Sequence, residues 1–237
     1  MDVNRQNHPD PSLRCVLWFV KAPETGCVKT RLASELPWDV VVELYACFLT
    51  DMLNTLETYA PRIRICYSPA QASIRIRHLL GPHHDYMPQQ GRDIGERMKH
   101  AFIRAFSDGF HHVLLLGSDI PGISDSILKE AHLRLTDHDT VIGPAADGGF
   151  YLVGFKPDTF TPEIFEHMPW STNRILALTL ARLKSKNLQV HRLPVCLDID
   201  KPEDLKSFVR RASKRPIPHS QTMAYLQRIG YAKEAEK

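Results

Sequence analysis

The sequence predicts an α/β fold: a single domain with a mainly parallel, twisted sheet flanked by helices on both faces. Three observations carry this prediction. Short apolar runs alternate with helical patterns along the chain. One run, at 113–116, is apolar throughout, as a strand buried on both faces must be. The polar residues that suit ligand chemistry follow the apolar runs, and open α/β sheets bind ligands at the carboxyl ends of their strands.

The first strand is expected at 15–20. After a loop of Lys, Pro, Gly and Thr, a long helix is marked by Val41, Leu44, Tyr45, Phe48, Leu49, Met52, Leu53 and Leu56 at i, i+3, i+4 spacing. Residues 62–67 alternate charged and apolar types, which predicts a strand with Ile63, Ile65 and Tyr67 on one face. A short helix fits 70–80. Ile94, Met98, Ala101, Phe102, Ala105 and Phe106 mark another helix, ended by Gly109. Ser124 is a candidate cap for the next helix, with Asp125 in its first turn. Strands at 140–142 and 150–155 flank a turn rich in Gly and Asp. A helix near 172–184, a strand at 188–193 and a helix from Pro202 complete the pattern.

Residues 14–212 therefore form the domain. Residues 1–13, polar with two prolines, read as a flexible arm, and Pro216 and Pro218 mark a break before a C-terminal appendage at 213–237. The longest apolar run is too short to span a bilayer, and the N-terminus lacks the pattern of a signal peptide, so a soluble cytoplasmic protein is expected. A net charge of +3 gives no footprint for nucleic acid. The five cysteines show no CxxC spacing and are expected as reduced thiols. The histidine pairs His83–His84 and His111–His112 lack the i, i+4 spacing of a helical zinc site and read as surface residues.

Three segments after strands carry candidate chemistry. The first, 21–31, offers Lys21, Gly26, Lys29, Thr30 and Arg31. Its cations, hydroxyl and glycine suit a phosphate, and Arg31 is able to bind two oxygens at once. It is neither a Walker A loop nor a GxGxxG fingerprint. The second, 117–121, brings Asp119 out of the most apolar strand; one or two carboxylates with waters and phosphates are what Mg²⁺ prefers. The third, 198–204, holds Asp198 and Asp200 two apart, then Pro202, Glu203 and Asp204 at a helix start. Capping explains Glu203 and Asp204, and Asp200 in part, but not Asp198. Between them lies Asp147-Gly148-Gly149 before an aromatic strand, which is also an ordinary turn signal.

Taken together, KAPETGCVKTRL at 21–32, GRDIGERM at 91–98, GSDIP at 117–121, GPAADGGFYLVG at 143–154, Trp170-Ser171-Thr172 and DIDKPEDL at 198–205 resemble the nucleotide-diphospho-sugar transferase superfamily of glycosyltransferase A-type fold. They are most similar to its bacterial radical-SAM/selenodomain-associated transferases. The order of the motifs spans nearly the whole domain. The resemblance implies metal binding by Asp119 and Asp200, with Mg²⁺ or Mn²⁺ as cofactor. Two departures are visible: Lys201 stands where relatives carry threonine, and the LAAGxGxRM loop of nucleotidyltransferases is absent.

The expected function is a metal-dependent transferase acting on a nucleotide-activated donor, in particular a nucleotide-sugar. Lys21, Lys29 and Arg31 would bind the diphosphate, Asp147 would activate the acceptor, and Gly148 and Gly149 would admit it. The expected partners are a nucleotide or nucleotide-sugar and a small-molecule acceptor, with no nucleic acid and no membrane span. The alternatives are a nucleotidyltransferase that releases pyrophosphate and a non-catalytic nucleotide-binding protein.

Overall fold

A computed structural model describes residues 13–59 and 62–235; the arm expected at 1–13 lies, apart from Leu13, outside them. The chain runs β1 (Arg14–Lys21), α1 (Trp38–Tyr59), β2 (Ile63–Ser68), α2 (Ser73–Leu80), β3 (Asp85–Pro88), α3 (Ile94–Ser107), β4 (His112–Leu116) and α4 (Asp125–Arg134). It continues through β5 (Thr140–Pro144), β6 (Phe150–Phe155), α5 (Ile175–Ser185), β7 (Val190–Arg192), α6 (Pro202–Lys214), α7 (Gln221–Arg228) and α8 (Tyr231–Ala235). The strands form one sheet in the order β3-β2-β1-β4-β6-β5-β7. Only β6 opposes the rest, antiparallel to both β4 and β5. The apolar strand β4 is therefore central, as its composition predicts.

Helices cover both faces because the strands alternate their side chains between two cores. On β1, Val16, Trp18 and Val20 enter one core, beneath α1. Cys15, Leu17 and Phe19 enter the other, beneath α3. Every apolar position read as the buried stripe of α1 is indeed buried. The second core is aromatic, with Phe102 packed at 5.4 Å from Phe155 and 5.2 Å from Phe160. Each such side chain contributes roughly 1.5–3 kcal/mol of burial.

Four details differ from the sequence reading. Arg64, on the face of β2 opposite Ile63, Ile65 and Tyr67, is only 8% exposed, and its guanidinium is neutralised by Asp85 at 2.6 Å and Asp108 at 2.7 Å. Strand β3 was not foreseen, since four residues ending in Pro88 carry no period and occupy the sheet edge. Ser124 sits at the N-cap of α4, but its hydroxyl meets Ser126 Oγ at 2.7 Å instead of a backbone N–H. His112, read as surface, begins the central strand; burial pushes it down to about 4.

The segment after Pro218 returns to the first core. Asp51, a buried acid on the inner face of α1, accepts from Ser220 Oγ at 2.7 Å, Gln221 N at 2.6 Å and Thr222 N at 3.0 Å. It thereby satisfies orphan amides at the start of α7, as an N-cap does. Asp51→Ala should lower stability by about 2–4 kcal/mol, because buried donors then lack a partner. Urea unfolding measures this, and a loss below about 0.5 kcal/mol would reject the clasp. No helix among the described residues is long and apolar enough to cross a membrane.

Candidate active site

The topology brings four loops to one end of the sheet. Strands β1 and β4 are parallel, with Trp18 opposite Leu116, so the last residues of β1 run level with the loop after β4. Because β6 is antiparallel, its start lies at that same end, and Gly117 N donates to Tyr151 O at 3.0 Å. The segment after β7 closes the group: Ala146 N donates to Cys196 O at 3.0 Å, and Ile199 N to Asp119 O at 2.9 Å.

A buried hydroxyl links the first two loops. Tyr45 Oη accepts from Lys21 N at 3.2 Å and shares a hydrogen bond with Ser118 Oγ at 2.8 Å. Burial, with the charge of Asp119 nearby, pushes the Tyr45 phenol well above its ordinary value, so the peg stays neutral. The helical stripe shows Tyr45 only as an apolar position; its polar end acts across 73 residues.

The basic loop meets the two acidic segments as ion pairs. Lys29 Nζ lies 2.5 Å from Asp119 Oδ1, with the lysine side chain 4% and the aspartate 50% exposed. Lys29 also adopts φ of +47°, a left-handed conformation that non-glycine residues reach at a cost, and its ammonium lies 5.9 Å from the Phe48 ring centre. Arg31 Nη1 lies 2.7 Å from Asp200 Oδ2, both partly exposed. Asp200 does not cap α6: Asp204 does so, accepting from Asp200 N at 3.1 Å and Lys201 N at 2.8 Å. Asp200 is left to face Arg31.

Two adjoining cavities open here. The smaller, about 210 Å³, is lined by Lys21, Lys29, Gln89, Arg97, Asp119 and Asp200. The larger, about 540 Å³, takes Arg31, Asp119, Asp147, Trp170, Asp198 and Asp200. Ile199 is buried while Asp198 and Asp200 both line this second space, as i, i+2 residues of an extended segment do. Burial, then the charges of Asp147 and Asp119, pushes Asp198 up to about 6. Asp198 thus belongs to the acidic group, although capping logic left it without a role. Gly26 turns with φ of +77°, and Thr30 is exposed; neither lines either cavity.

The Asp147–Gly149 turn is locked against the segment before α5. Asp147 Oδ1 accepts from Gly149 N at 2.8 Å, and Gly148 O accepts from Leu176 N at 2.9 Å. A Cβ on Gly148, whose φ is +90°, would stand 2.3 Å from Asn173 O, so no other residue fits there. Gly148 is therefore an anchor of the turn, whereas Asp147 and Gly149 line the larger cavity. Trp170 packs as closely on Gly95 at the start of α3, completing the apolar wall. A still larger cavity of about 790 Å³ lies elsewhere, between α1 and the segment leading to α7, and holds none of these residues.

Among the described residues, no three His, Cys, Asp or Glu side chains stand together as a ready-made metal cage. Asp119 and Asp200 instead offer carboxylate oxygens from two neighbouring segments. That donor set fits a hard divalent ion completed by waters and phosphate oxygens.

Comparison with known proteins bears on the family and the fold. A family model described as "Uncharacterized protein conserved in bacteria (DUF2064)" matches residues 52–172, just over half of the chain. No curated protein matches the chain. A crystal structure from Desulfovibrio desulfuricans G20, provisionally named a nucleotide-diphospho-sugar transferase, is 38% identical, with a TM-score of 0.90 over 94% of this chain and 98% of that one. Two more distant structures share the fold. A cytidylyltransferase from Leptospira borgpetersenii serovar Hardjo-bovis (strain JB197) is 12% identical, with a TM-score of 0.57 over 94% of this chain and 95% of that one. A CMP:2-keto-3-deoxy-manno-octonic acid synthetase complexed with CTP is 8% identical, with a TM-score of 0.56 over 86% of this chain and 99% of that one. The chain belongs to the DUF2064 family, within the enzymes of the nucleotide-diphospho-sugar transferase superfamily.

Proposed function

We infer that this chain is a metal-dependent transferase acting on a nucleotide-activated donor, in particular a nucleotide-sugar. The observation that carries the reading is the pairing of the basic loop with both acidic segments, Lys29 with Asp119 and Arg31 with Asp200, at the mouth of the two cavities. In this arrangement the cations and the carboxylates satisfy each other. A diphosphate with its divalent ion supplies the same charges in exchange, so phosphate replaces carboxylate on Lys29 and Arg31. The name of the 38% identical relative supports a nucleotide-sugar as the donor.

Asp119 and Asp200 would hold Mg²⁺ or Mn²⁺. Such an ion supplies neutralisation of the charge that grows on the leaving phosphate. Lys21, Lys29 and Arg31 add fixed positive charge for the same purpose. Asp147 is exposed and lines the larger cavity, with Oδ1 held by Gly149 N; its carboxylate would orient or deprotonate an acceptor hydroxyl. Gly149 would admit the acceptor beside it, and a Cβ there would stand 3.1 Å from Asp147 Oδ1.

A thermal-shift screen of nucleoside diphosphates, triphosphates and nucleotide-sugars, with and without Mg²⁺ or Mn²⁺, tests this reading. Ligand and ion together should raise Tm more than the sum of either alone, since phosphate oxygens complete the ion's coordination and each therefore tightens the binding of the other. Incubation with a triphosphate that releases pyrophosphate would move the assignment to nucleotidyl transfer. Absence of any shift across the whole panel would reject a nucleotide site.

A further inference from the structure

The GRDIGERM segment, which the proposed function leaves without a role, places one more cation in the smaller cavity. Arg97 lines that cavity beside Lys21 and Lys29. Its Nε donates to Gly91 O at 3.1 Å, which holds the side chain where the smaller cavity adjoins another of about 330 Å³. The fit at Gly91 is tight: at φ of +139°, a Cβ there would stand 2.7 Å from Arg97 N. At the next turn Gly95 lies against Phe165 O and the Trp170 ring, with no room for a side chain, so the start of α3 is pinned on both sides.

Nothing in helix stability accounts for a cation at this place. Arg97 is the fourth residue of α3, where a positive charge is opposed by the helix dipole. The nearby cations are neutralised: Arg92, just before the helix, by Glu96 at 2.5 Å, and on the helix Lys99 by Glu166 at 2.5 Å and Arg104 by Asp108 at 3.0 Å. Lys29 and Arg31 are neutralised as well. Arg97 is the one half-buried arginine at the cavity that, among the described residues, has no carboxylate within ion-pair distance. The Gly91 carbonyl takes one of its five N–H donors, leaving the terminal nitrogens as a fork suited to two phosphate oxygens.

We propose that Arg97 is a phosphate-binding residue of the donor site, holding the diphosphate from the α3 side while Lys29 and Arg31 hold it from the loop after β1. This rests on the donor site proposed above. It makes the donor's anion a ligand of two separate segments, with Gly91 as the positioning residue for the second.

Calorimetric titration with inorganic pyrophosphate, and with ADP, CDP, GDP and UDP, at fixed ionic strength and with Mg²⁺ present, tests it. R97A should weaken binding at least tenfold, while R92A, which removes the same charge from an exposed side chain just before the helix, should stay within twofold of wild type. If R97A does not fold, R97Q keeps the stem, removes the charge and should show the same loss. Wild-type affinity within threefold in R97A or R97Q, with Lys29→Met still defective, would overturn this proposal and leave the donor site standing. No binding by the wild type to any of these probes would overturn both.

Discussion

Lys29→Met should weaken the binding of any nucleoside diphosphate or nucleotide-sugar by about 2–3 kcal/mol, the order expected when one charge-assisted hydrogen bond is lost from a partly desolvated site. Methionine preserves the unbranched stem that packs in the 4% exposed position, so the loss isolates the ammonium. The fold should tolerate the change, because Asp119, left alone, is half exposed and solvated. Isothermal titration with the best ligand of the screen gives the affinity, and urea unfolding gives the stability. An affinity unchanged beside a large loss of stability would make Lys29 a structural ion-pair partner and remove it from the donor site.

Asp119→Asn should reduce turnover by about 10²–10³-fold, the scale on which loss of one electrostatic contact to developing charge is felt. It should also abolish the additional Tm rise that metal gives to the ligand complex. Repulsion between Asp119 and Asp200, taken alone, would make the metal-free variant as stable as wild type or slightly more so. The geometry reverses that expectation. Asp119 is paired with buried Lys29 at 2.5 Å, so Asn leaves a buried ammonium with a neutral partner, and the apo protein should lose about 1–3 kcal/mol. An apo Tm equal to or above that of wild type would contradict the pairing. Retention of the metal-dependent rise would contradict the metal role.

Much of the fold is legible in the chain because its strongest signals are local. The apolar run of β4 requires a central strand, and the 3.6-residue stripe of α1 requires one buried face. What stays hidden is set by tertiary partners. Strand β3 exists because Arg64 to Tyr67 of β2 offers it a ladder, not because Asp85–Pro88 has strand character. Arg64 follows the charged–apolar alternation of β2 yet is buried, since Asp108, from the end of α3, comes to neutralise it. The return of the chain to α1 depends on Asp51, which in sequence is one acid inside a helix.

The candidate site divides in the same way. The positions after strands were readable because parallel topology sends strand ends to one side, and Lys29, Arg31, Asp119, Asp147 and Asp200 all line the two cavities there. Their pairing was not readable: 169 residues separate Arg31 from Asp200, and no local pattern encodes such a contact. Asp198 resisted assignment because its neighbours, Asp147 and Asp119, come from other loops. Arg97 was hidden inside an amphipathic helix, where a polar residue reads as the solvent face. Gly148 was read as space for an acceptor, whereas its missing Cβ is space for Asn173.

At the centre of the proposed site is one ion shared by Asp119 and Asp200 against a diphosphate. A crystal grown with a nucleoside diphosphate and Mn²⁺, measured for anomalous scattering from manganese, tests it directly. The prediction is a single strong peak within about 2.0–2.3 Å of oxygens from both carboxylates and from the diphosphate, with Lys29 and Arg31 moved onto the phosphates. A diphosphate bound with no manganese at these carboxylates, and with Lys29 still on Asp119 and Arg31 still on Asp200, would contradict it.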